Sequence, residues 1–221
     1  MTLSVKTAIV GAVAWLAASS GANAAIILTS DKGDFLSDTG ATSATGAIPI
    51  AGSGASSMVV GSVTISAESP STLNFTQDWT DRIAGNQFAI NGVEDVTFDF
   101  GEDVFAFGFD FVEPEFDPLV NAPFVDSTFE ISFCDDGTCF DSIQISAPND
   151  VAYFIGLISD IAFDTVVISE IIGAAETDFF GEIYTSTDPV SDVPLPAAAP
   201  LFLAGLAGAG LFGRRRATKR Q

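Results

Sequence analysis

The sequence contains no histidine, and this absence narrows the chemistry that the chain can perform. It excludes the Ser-His-Asp triad, the Cys-His pair and the usual ligand sets of zinc hydrolases. No glycine-rich phosphate loop follows a predicted strand and opens a helix. Paired carboxylates are the one catalytic arrangement left open, and among 29 acidic residues no pair stands out. The sequence therefore predicts a protein that is not an enzyme.

Basic residues are scarce in the central part of the chain. Between residues 25 and 192, Lys32 and Arg82 are the only basic residues against all 29 acidic ones, a formal charge of −27. Nucleic-acid backbones are bound through Lys and Arg, so a nucleic-acid partner is excluded. The charge also opposes docking on anionic lipid or acidic polysaccharide unless divalent cations bridge the two surfaces. Solubility outside the cell explains such a surface without any specific ligand.

The N-terminus carries the features of a secretory signal. Lys6 precedes an apolar run over residues 8–18, and Ala22 and Ala24 form the small-x-small pattern of a signal-peptidase site. We therefore expect a signal peptide over residues 1–24, cleaved after Ala24. An N-terminal anchor helix is the alternative, but the apolar run is short for a membrane span. The pattern favours export.

The last 29 residues combine a proline motif, an apolar stretch and a basic end. Val193-Pro194-Leu195-Pro196-Ala197 opens the segment, residues 194–213 carry no charge, and Arg214-Arg215-Arg216 follows as a basic stop. At about 1.5 Å per residue, a helix of this length matches the ~30 Å hydrocarbon core of a bilayer. The positive-inside rule keeps the arginines cytoplasmic. The sequence predicts a C-terminal transmembrane helix.

This arrangement resembles the PEP-CTERM family of protein-sorting tails, in its VPLPA variant. In that family an exosortase-type membrane protease recognises and removes the tail, and the rest of the protein is delivered to the cell surface. The resemblance implies a membrane-anchored precursor that ends at the cell surface or in the extracellular space. A membrane-anchored ectodomain without processing is the alternative. The three domains expected are residues 1–24, 25–192 and 193–221.

Alternating phenylalanines predict the fold of residues 25–192, which hold 18 of the 20 in the chain. Phe105, Phe107, Phe109 and Phe111 alternate with smaller or polar residues, the period of a strand with one buried face. Turn signals such as Asn91-Gly92, Gly101 and Asp136-Gly137 separate such runs. Strands are predicted over residues 57–67, 72–76, 87–91, 96–100, 105–111, 129–133, 143–145, 151–157, 164–172 and 178–185.

About ten short strands with no helix between the two targeting segments predict one all-β domain. The expected architecture is an antiparallel β-sandwich, jelly-roll-like, flanked by the signal helix and the C-terminal transmembrane helix. An immunoglobulin-like sandwich is the alternative topology. Residues 37–57, rich in Gly, Ala, Ser and Thr, are predicted to form a surface loop or a weakly paired edge.

Cys134 and Cys139 are the only cysteines of the chain. The four residues between them have Asp-Gly in the middle, which predicts a tight hairpin with the two cysteines opposite each other. In an oxidising compartment this pair is expected to form a disulfide. A zinc site is disfavoured because two thiols lack a third ligand, and a redox motif has only two intervening residues.

Two further features bear on ligands. Trp79 is the one tryptophan of residues 25–192 and lies in a polar stretch, so it is a candidate binding residue, with packing at one end of the sandwich as the alternative. Calcium is the candidate cofactor, because hard cations take clustered carboxylates from loops. The candidate loops are Gly101-Glu102-Asp103, Asp135-Asp136, and Asp31 with Asp34. None has EF-hand spacing, so the metal ligands stay unassigned.

The strand-and-turn rhythm from Val93-Glu94-Asp95 to Gly181-Glu182-Ile183-Tyr184 resembles the β-sandwich bodies often found ahead of such sorting tails. Those bodies in turn resemble carbohydrate-binding, lectin-like jelly rolls. The expected function is that of an exported structural or adhesive protein, associated with the cell surface or the extracellular matrix. The alternative is a carbohydrate-binding module, with an extracellular polysaccharide as its partner.

Overall fold

The computed structural model of the chain describes residues 25–76, 82–114, 116–117, 122–123, 127–173 and 178–190. The predicted signal peptide with Ala22 and Ala24, Trp79, the motif at residues 193–197 and the basic stop lie outside the described residues. Within the described ranges, no helix has the length and apolarity that a membrane span requires.

The described residues form one helix, α1 (Lys32–Thr39), and antiparallel strands. The strands in chain order are β1 (Ile26–Thr29), β2 (Thr42–Ser43), β3 (Gly52–Ala55), β4 (Ser57–Val60), β5 (Val63–Ala67), β6 (Thr72–Thr76), β7 (Gln87–Asn91), β8 (Val96–Val112), β9 (Phe116–Asp117), β10 (Ala122–Pro123), β11 (Thr128–Asp135), β12 (Thr138–Ile145), β13 (Tyr153–Ile172) and β14 (Phe179–Ser186). This content confirms the predicted all-β class.

Two long strands, β8 and β13, take part in both layers of the structure. The first half of β8 pairs with β5 and with the second half of β13, so that Phe98 lies opposite Ile65 and Val166. The second half of β8 pairs with the first half of β13 and with β14. Between these halves the register shifts, and Gly101 adopts a φ of 68°, a conformation that glycine takes without steric cost. The bend turns one network of strands into two facing sheets.

The first sheet runs β12-β11-β13-β8-β5-β4, and the second runs β1-β13-β8-β14-β7-β6-β3 with β2 on β14. The sequence predicted separate strands on either side of Gly101 and two separate strands over residues 151–172. That prediction is wrong in its boundaries, because in each case the chain bends without leaving the β conformation.

Phenylalanine rings from the two sheets fill the space between them. Phe98 in the first sheet lies 5.3 Å from Phe107 and 6.5 Å from Phe180 of the second, between ring centroids. Phe107, Phe109 and Phe111 are buried, as their period of two predicts, whereas Phe105 beside the bend is only partly buried. Face-to-face packing of two antiparallel sheets makes this a β-sandwich.

Helix α1 is the main departure from the sequence prediction, which had no helix in this region. Asp31 caps its start by accepting a hydrogen bond from the Asp34 N–H at 2.9 Å. Gly40 ends it in the left-handed conformation, at φ 65°, and donates to the Leu36 carbonyl. The Asp31 and Asp34 pair, predicted as a possible calcium loop, therefore forms the first turn of a helix.

The helix packs on the outer face of the second sheet through Phe35, which is 1% exposed. Its ring fits over two glycines of neighbouring strands: a Cβ added at Gly108 would lie 2.9 Å from the Phe35 ring, and one at Gly156 would lie 2.7 Å from it. The missing side chains thus create the seat of the helix. The predicted loop over residues 37–57 is partly wrong, since its start is helical and Ile48 is buried in the core.

The predicted disulfide between Cys134 and Cys139 is present. The two cysteines face each other in the β11–β12 hairpin. Asp136 and Gly137 form its two-residue turn with φ values of 47° and 75°. Positive φ at both central positions is the requirement of a type I′ turn, which explains why Asp-Gly was a correct signal here.

Candidate functional site

A cleft on the outer face of the second sheet collects residue types that are rare in this chain. The cleft has a volume of ≈390 Å³ and is lined by Lys32, Arg82, Tyr153 and Tyr184, among others. These four are all the basic residues and all the tyrosines between residues 25 and 192. We call it the basic–aromatic cleft. Their convergence from distant parts of the chain marks it as the candidate site.

Regular secondary structure places these side chains. Lys32 opens α1 directly after the Asp31 cap, which holds the start of the helix over the sheet. Asp110 points outward from β8 between the inward-facing Phe109 and Phe111. In β14, Tyr184 follows the buried Ile183 and so lies on the outer face too. Helix cap and strand alternation together build the cleft on a rigid support.

Lys32 is the centre of the polar network. Its Nζ lies 2.6 Å from Asp110 Oδ2, and the two side chains are 35% and 22% exposed. The same Nζ lies 4.3 Å from the ring centroid of Tyr184 and 5.7 Å from that of Phe154, within reach of cation–π attraction. The Tyr184 hydroxyl donates to Glu182 Oε2 at 2.9 Å. An ammonium, two carboxylates and a phenol are therefore fixed side by side.

The network keeps Lys32 protonated and Tyr184 neutral near neutral pH. Burial alone would lower the pKa of Lys32, but hydrogen bonds and charge interactions with Asp110 and Tyr184 outweigh it and raise that pKa. Burial, followed by the hydrogen bond to Glu182, raises the pKa of Tyr184, and Lys32 opposes the shift. A protonated lysine and a neutral phenol are hydrogen-bond donors without a basic or nucleophilic role. The arrangement suits binding better than catalysis.

A second ion pair stands at another part of the cleft. Arg82 Nη1 lies 2.7 Å from Asp150 Oδ1, with side chains that are 35% and 41% exposed. Both cations of the cleft thus face a carboxylate, so the cleft has no surplus of positive charge for an anion. Paired donors and acceptors beside aromatic rings match a neutral ligand that carries many hydroxyl groups, because a hydroxyl both donates and accepts.

Three carboxylates converge near the disulfide hairpin. Ligand atoms of Asp135, Asp136 and Asp164 all lie within 4.8 Å of one another, and the Asp136 N–H donates to Asp164 Oδ2 at 3.2 Å. The Asp135-Asp136 loop was a predicted calcium candidate, and Asp103 of the Gly101-Glu102-Asp103 candidate loop acts on Asp135 through its charge. Surface carboxylates cluster in many acidic proteins without an ion, so this cluster does not by itself define a calcium site.

The cluster predicts a pH dependence of stability. Partial loss of hydration, then the charges of Asp136, Asp103 and Asp164, raise the pKa of the Asp135 carboxyl. The folded state then binds a proton more readily than the unfolded state, so this contribution to stability is present at low pH and is lost as the pH rises through the folded pKa. We expect Asp164→Asn to raise the thermal midpoint at about pH 7 and to have less effect at about pH 3.

Thermal denaturation at several pH values measures this difference. Glu130→Gln is the matched control, because the cross-strand neighbours of Glu130 are the uncharged Gln144 and Ser169. The control should show a smaller dependence on pH. An equal gain for both variants at every pH would show that general charge reduction, rather than this cluster, is responsible.

Comparison with known proteins finds distant structural similarity to carbohydrate-binding modules. No protein-family profile and no curated protein matches the chain. The C-terminal family 22 carbohydrate-binding module of Clostridium thermocellum Xyn10B is 12% identical over 62% of this chain and 91% of its own, with a TM-score of 0.39. A family 29 carbohydrate-binding module is 16% identical over 71% and 98%, with a TM-score of 0.35. A xylan-binding domain of family 22 is 12% identical over 63% of this chain and 97% of its own, with a TM-score of 0.34. Such scores do not assign a ligand to this chain.

Sequence reasoning missed most of the cleft. It singled out Trp79, but it assigned no role to Lys32, Asp110 or Tyr184. These residues come from α1, β8 and β14, and they meet because β14 pairs with β8 in the sheet on which the helix packs. The signal that was available is rarity: a chain with two basic residues in its domain has few ways to build such a network.

Proposed function

We propose that residues 25–192 form a carbohydrate-binding module of an exported protein, and that the basic–aromatic cleft is its binding site. The observation that supports this is the network in which Lys32 is held between Asp110 and the ring of Tyr184. It offers fixed hydrogen-bond donors, fixed acceptors and an aromatic surface within one cleft. A jelly-roll-like topology, as expected from the sequence, remains part of the proposal.

The chemistry of a sugar fits each part of this cleft. Hydroxyl groups donate to the carboxylates of Asp110 and Glu182 and accept from Lys32 and Arg82. The ring of Tyr184 provides apolar surface with a polar edge, against which the C–H face of a sugar packs. The volume of ≈390 Å³ lies at the lower end of small-ligand sites, which suits a short stretch of a polysaccharide. Lys32 stays protonated and Tyr184 stays neutral, so both offer hydrogen bonds and neither acts as a general base. These two residues therefore do not point to hydrolysis.

A glycan array with the processed protein, in the presence and absence of calcium, tests this function. We expect binding to neutral glycans that does not require calcium, since two protein cations already supply the donors of the cleft. Binding that requires calcium would indicate that the acidic loops, rather than the basic–aromatic cleft, form the site. The absence of binding under both conditions would contradict the proposal and leave the structural or adhesive role without a sugar ligand.

Export and sorting complete the proposed function. A polysaccharide-binding domain delivered to the cell surface or matrix would act there as an adhesive component. The motif Val193-Pro194-Leu195-Pro196-Ala197, the uncharged stretch and the Arg214-Arg215-Arg216 stop support sorting by an exosortase-type membrane protease. These segments lie outside the described residues, and their role rests on the sequence.

Replacing Pro194 and Pro196 by Ala separates sorting from simple anchoring. A membrane anchor needs only hydrophobicity and the basic stop, so the double variant should behave like the wild type. A protease that reads an extended segment should fail on the variant, because proline enforces the extended backbone. We expect the variant to accumulate as full-length membrane precursor. Cell fractionation, with antibodies against residues 25–192 and against the Arg214 end, measures this accumulation. Sorting would be contradicted if the wild type kept the Arg214 end in every fraction of a host that processes such tails.

A further inference from the structure

Strand β14 carries a β-bulge opposite Asp110 of β8. The pairing register of the two strands shifts between Phe180 and Ile183. As a result, Gly181 and Glu182 together face the single Asp110. An extra residue in one strand of an antiparallel pair is a β-bulge, and it re-aims the side chains around it. The bulge therefore decides which side chains of β14 reach the outer face of the second sheet.

The bulge places Glu182 and Tyr184 in the basic–aromatic cleft. Phe180 and Ile183 are both 0% exposed, although they are three residues apart. In a regular strand, residues at even spacing share a face, so Glu182 and Tyr184 would follow Phe180 into the core. The extra residue reverses this alternation, and both side chains line the cleft instead. An irregularity of the strand thus builds one wall of the site.

Gly181 lets the side chains of this wall come close to one another. A Cβ added at Gly181 would lie 2.9 Å from Ile83 Cγ2 and 3.0 Å from Asp110 Cβ. Both of these neighbours line the cleft. A larger residue at this position would push one of them aside. The glycine therefore leaves Asp110 and Glu182 on neighbouring strands at one wall of the cleft.

The protein binds each of these two carboxylates through one oxygen. Lys32 Nζ lies 2.6 Å from Asp110 Oδ2. Glu182 Oε2 accepts from the Tyr184 hydroxyl at 2.9 Å and from the Ser43 hydroxyl at 3.2 Å. Among the described residues, no hydrogen bond reaches Asp110 Oδ1 or Glu182 Oε1. An ionised carboxylate accepts at both oxygens, so each keeps one acceptor for a ligand.

Two such acceptors beside an ammonium fit two hydroxyls on adjacent carbons of a sugar. Cross-strand neighbours carry Cβ atoms about 5 Å apart, which brings the open oxygens of Asp110 and Glu182 near each other. Adjacent hydroxyls are the closest pair on a sugar ring, and each can donate to one carboxylate. Their oxygens can accept from Lys32, because an ammonium has three N–H groups and Asp110 takes one of them. A sugar without an adjacent pair makes only one of the two charge-assisted hydrogen bonds.

We propose that Asp110 and Glu182 together select glycans whose residues carry two free hydroxyls on adjacent carbons. This inference rests on the proposed function of the cleft and names the class of sugar that it takes. In 1,4-linked polymers of glucose, mannose or xylose, every residue keeps such a pair. In 1,3-linked polymers of the same sugars the linkage uses the oxygen between the two free hydroxyls, so no internal residue keeps one. The cleft discriminates between these linkages.

Affinity electrophoresis of the processed protein, in gels that contain soluble linear polymers, compares the two linkages for each sugar. Polymers are used because chain ends carry adjacent hydroxyls in either linkage and are few in a long chain. We expect the 1,4-linked polymer to bind about tenfold or more tightly than the 1,3-linked polymer of the same sugar.

Glu182→Gln tests the role of the carboxylate pair. The amide keeps an acceptor for the Tyr184 hydroxyl and puts a donor in place of the open oxygen. The variant should therefore bind the two linkages with nearly equal affinity. Glu130→Gln, on β11 of the first sheet, is the matched control and should keep the preference of the wild type.

Two results would overturn this inference and leave the cleft as a sugar site. One is that the wild type binds 1,3-linked polymers as tightly as 1,4-linked ones. The other is a preference for 1,4-linked polymers that Glu182→Gln does not reduce, which would assign it to the shape of the glycan chain. If the wild type binds no polymer of either linkage and no glycan of the array, the proposed function itself fails, and this inference fails with it.

Discussion

Phe109→Ala is expected to lower the free energy of unfolding by about 3–5 kcal/mol. The ring is 1% exposed and lies between the two sheets. Its centroid is 5.2 Å from that of Phe107, 5.7 Å from Phe180 and 6.4 Å from Phe98. Each of these neighbours is itself fixed by strand pairing, so the sheets cannot close the cavity that the truncation leaves. Urea denaturation measures the loss.

Phe105→Ala is the matched control for this loss. The residue lies in the same strand and has the same parity, but it is only partly buried beside the bend of β8. We expect a clearly smaller destabilisation, because less apolar surface returns to water and less of a cavity forms. If the two variants lose equal stability, or if Phe105→Ala loses more, the described facing of β8 is wrong.

Tyr184→Ala is expected to weaken glycan binding about 10- to 100-fold, or about 1.4–2.8 kcal/mol. The substitution removes the aromatic surface of the cleft, the ring under the Lys32 ammonium and the hydroxyl that holds Glu182. One truncation thus disturbs three parts of the site. Calorimetric titration with a glycan chosen from the array measures the affinity.

Phe140→Ala provides the control for general destabilisation. Phe140 is another partly buried aromatic residue, but it lies on β12 at the edge of the first sheet, away from the cleft. It should lose some stability and keep full affinity. Equal loss of affinity in both variants would mean that the binding surface lies elsewhere or that folding, rather than contact, limits binding.

The sandwich could be predicted from the sequence because its core residues alternate with outward-facing residues along single strands. Phe107, Phe109 and Phe111 alternate with outward residues, and such a period of two has only one structural meaning over this length. The turn at Asp136-Gly137 could also be predicted, because few residue pairs accept a positive φ at two successive positions. Local chemistry was sufficient where the structure itself is local.

Helix α1 and the bends of the long strands could not be read in the same way. An eight-residue helix with one fully buried apolar side chain, Phe35, has little periodicity, although Asp31 and Gly40 are legible caps. Its stability comes from the gap left by Gly108 and Gly156, which are far from the helix in the sequence and meet through the pairing of β8 with β13. At Gly101, the same positive φ serves a turn or a bend, and only the pairing of β8 with two sheets distinguishes them.

The cleft depends on distant pairings even more than the helix does. Lys32 and Tyr184 are far apart in sequence and meet because β14 lies beside β8 under the start of α1. Local sequence patterns do not indicate that these two side chains come together. Composition gives one indication, because basic residues and tyrosines are scarce between residues 25 and 192. Trp79 is a candidate for a similar reason, because it is the one tryptophan of residues 25–192, and its role in binding stays a prediction.

Chemical protection of Lys32 tests most directly whether a sugar binds beside this residue, as we propose. Lys32 is the only lysine between residues 25 and 192, so acetylation followed by mass spectrometry of its peptide reports on a single site. A saturating concentration of a glycan that binds should slow acetylation of Lys32 several-fold, and a glycan that does not bind should leave it unchanged. Acetylation at the same rate with and without a bound glycan would contradict the assignment of this cleft.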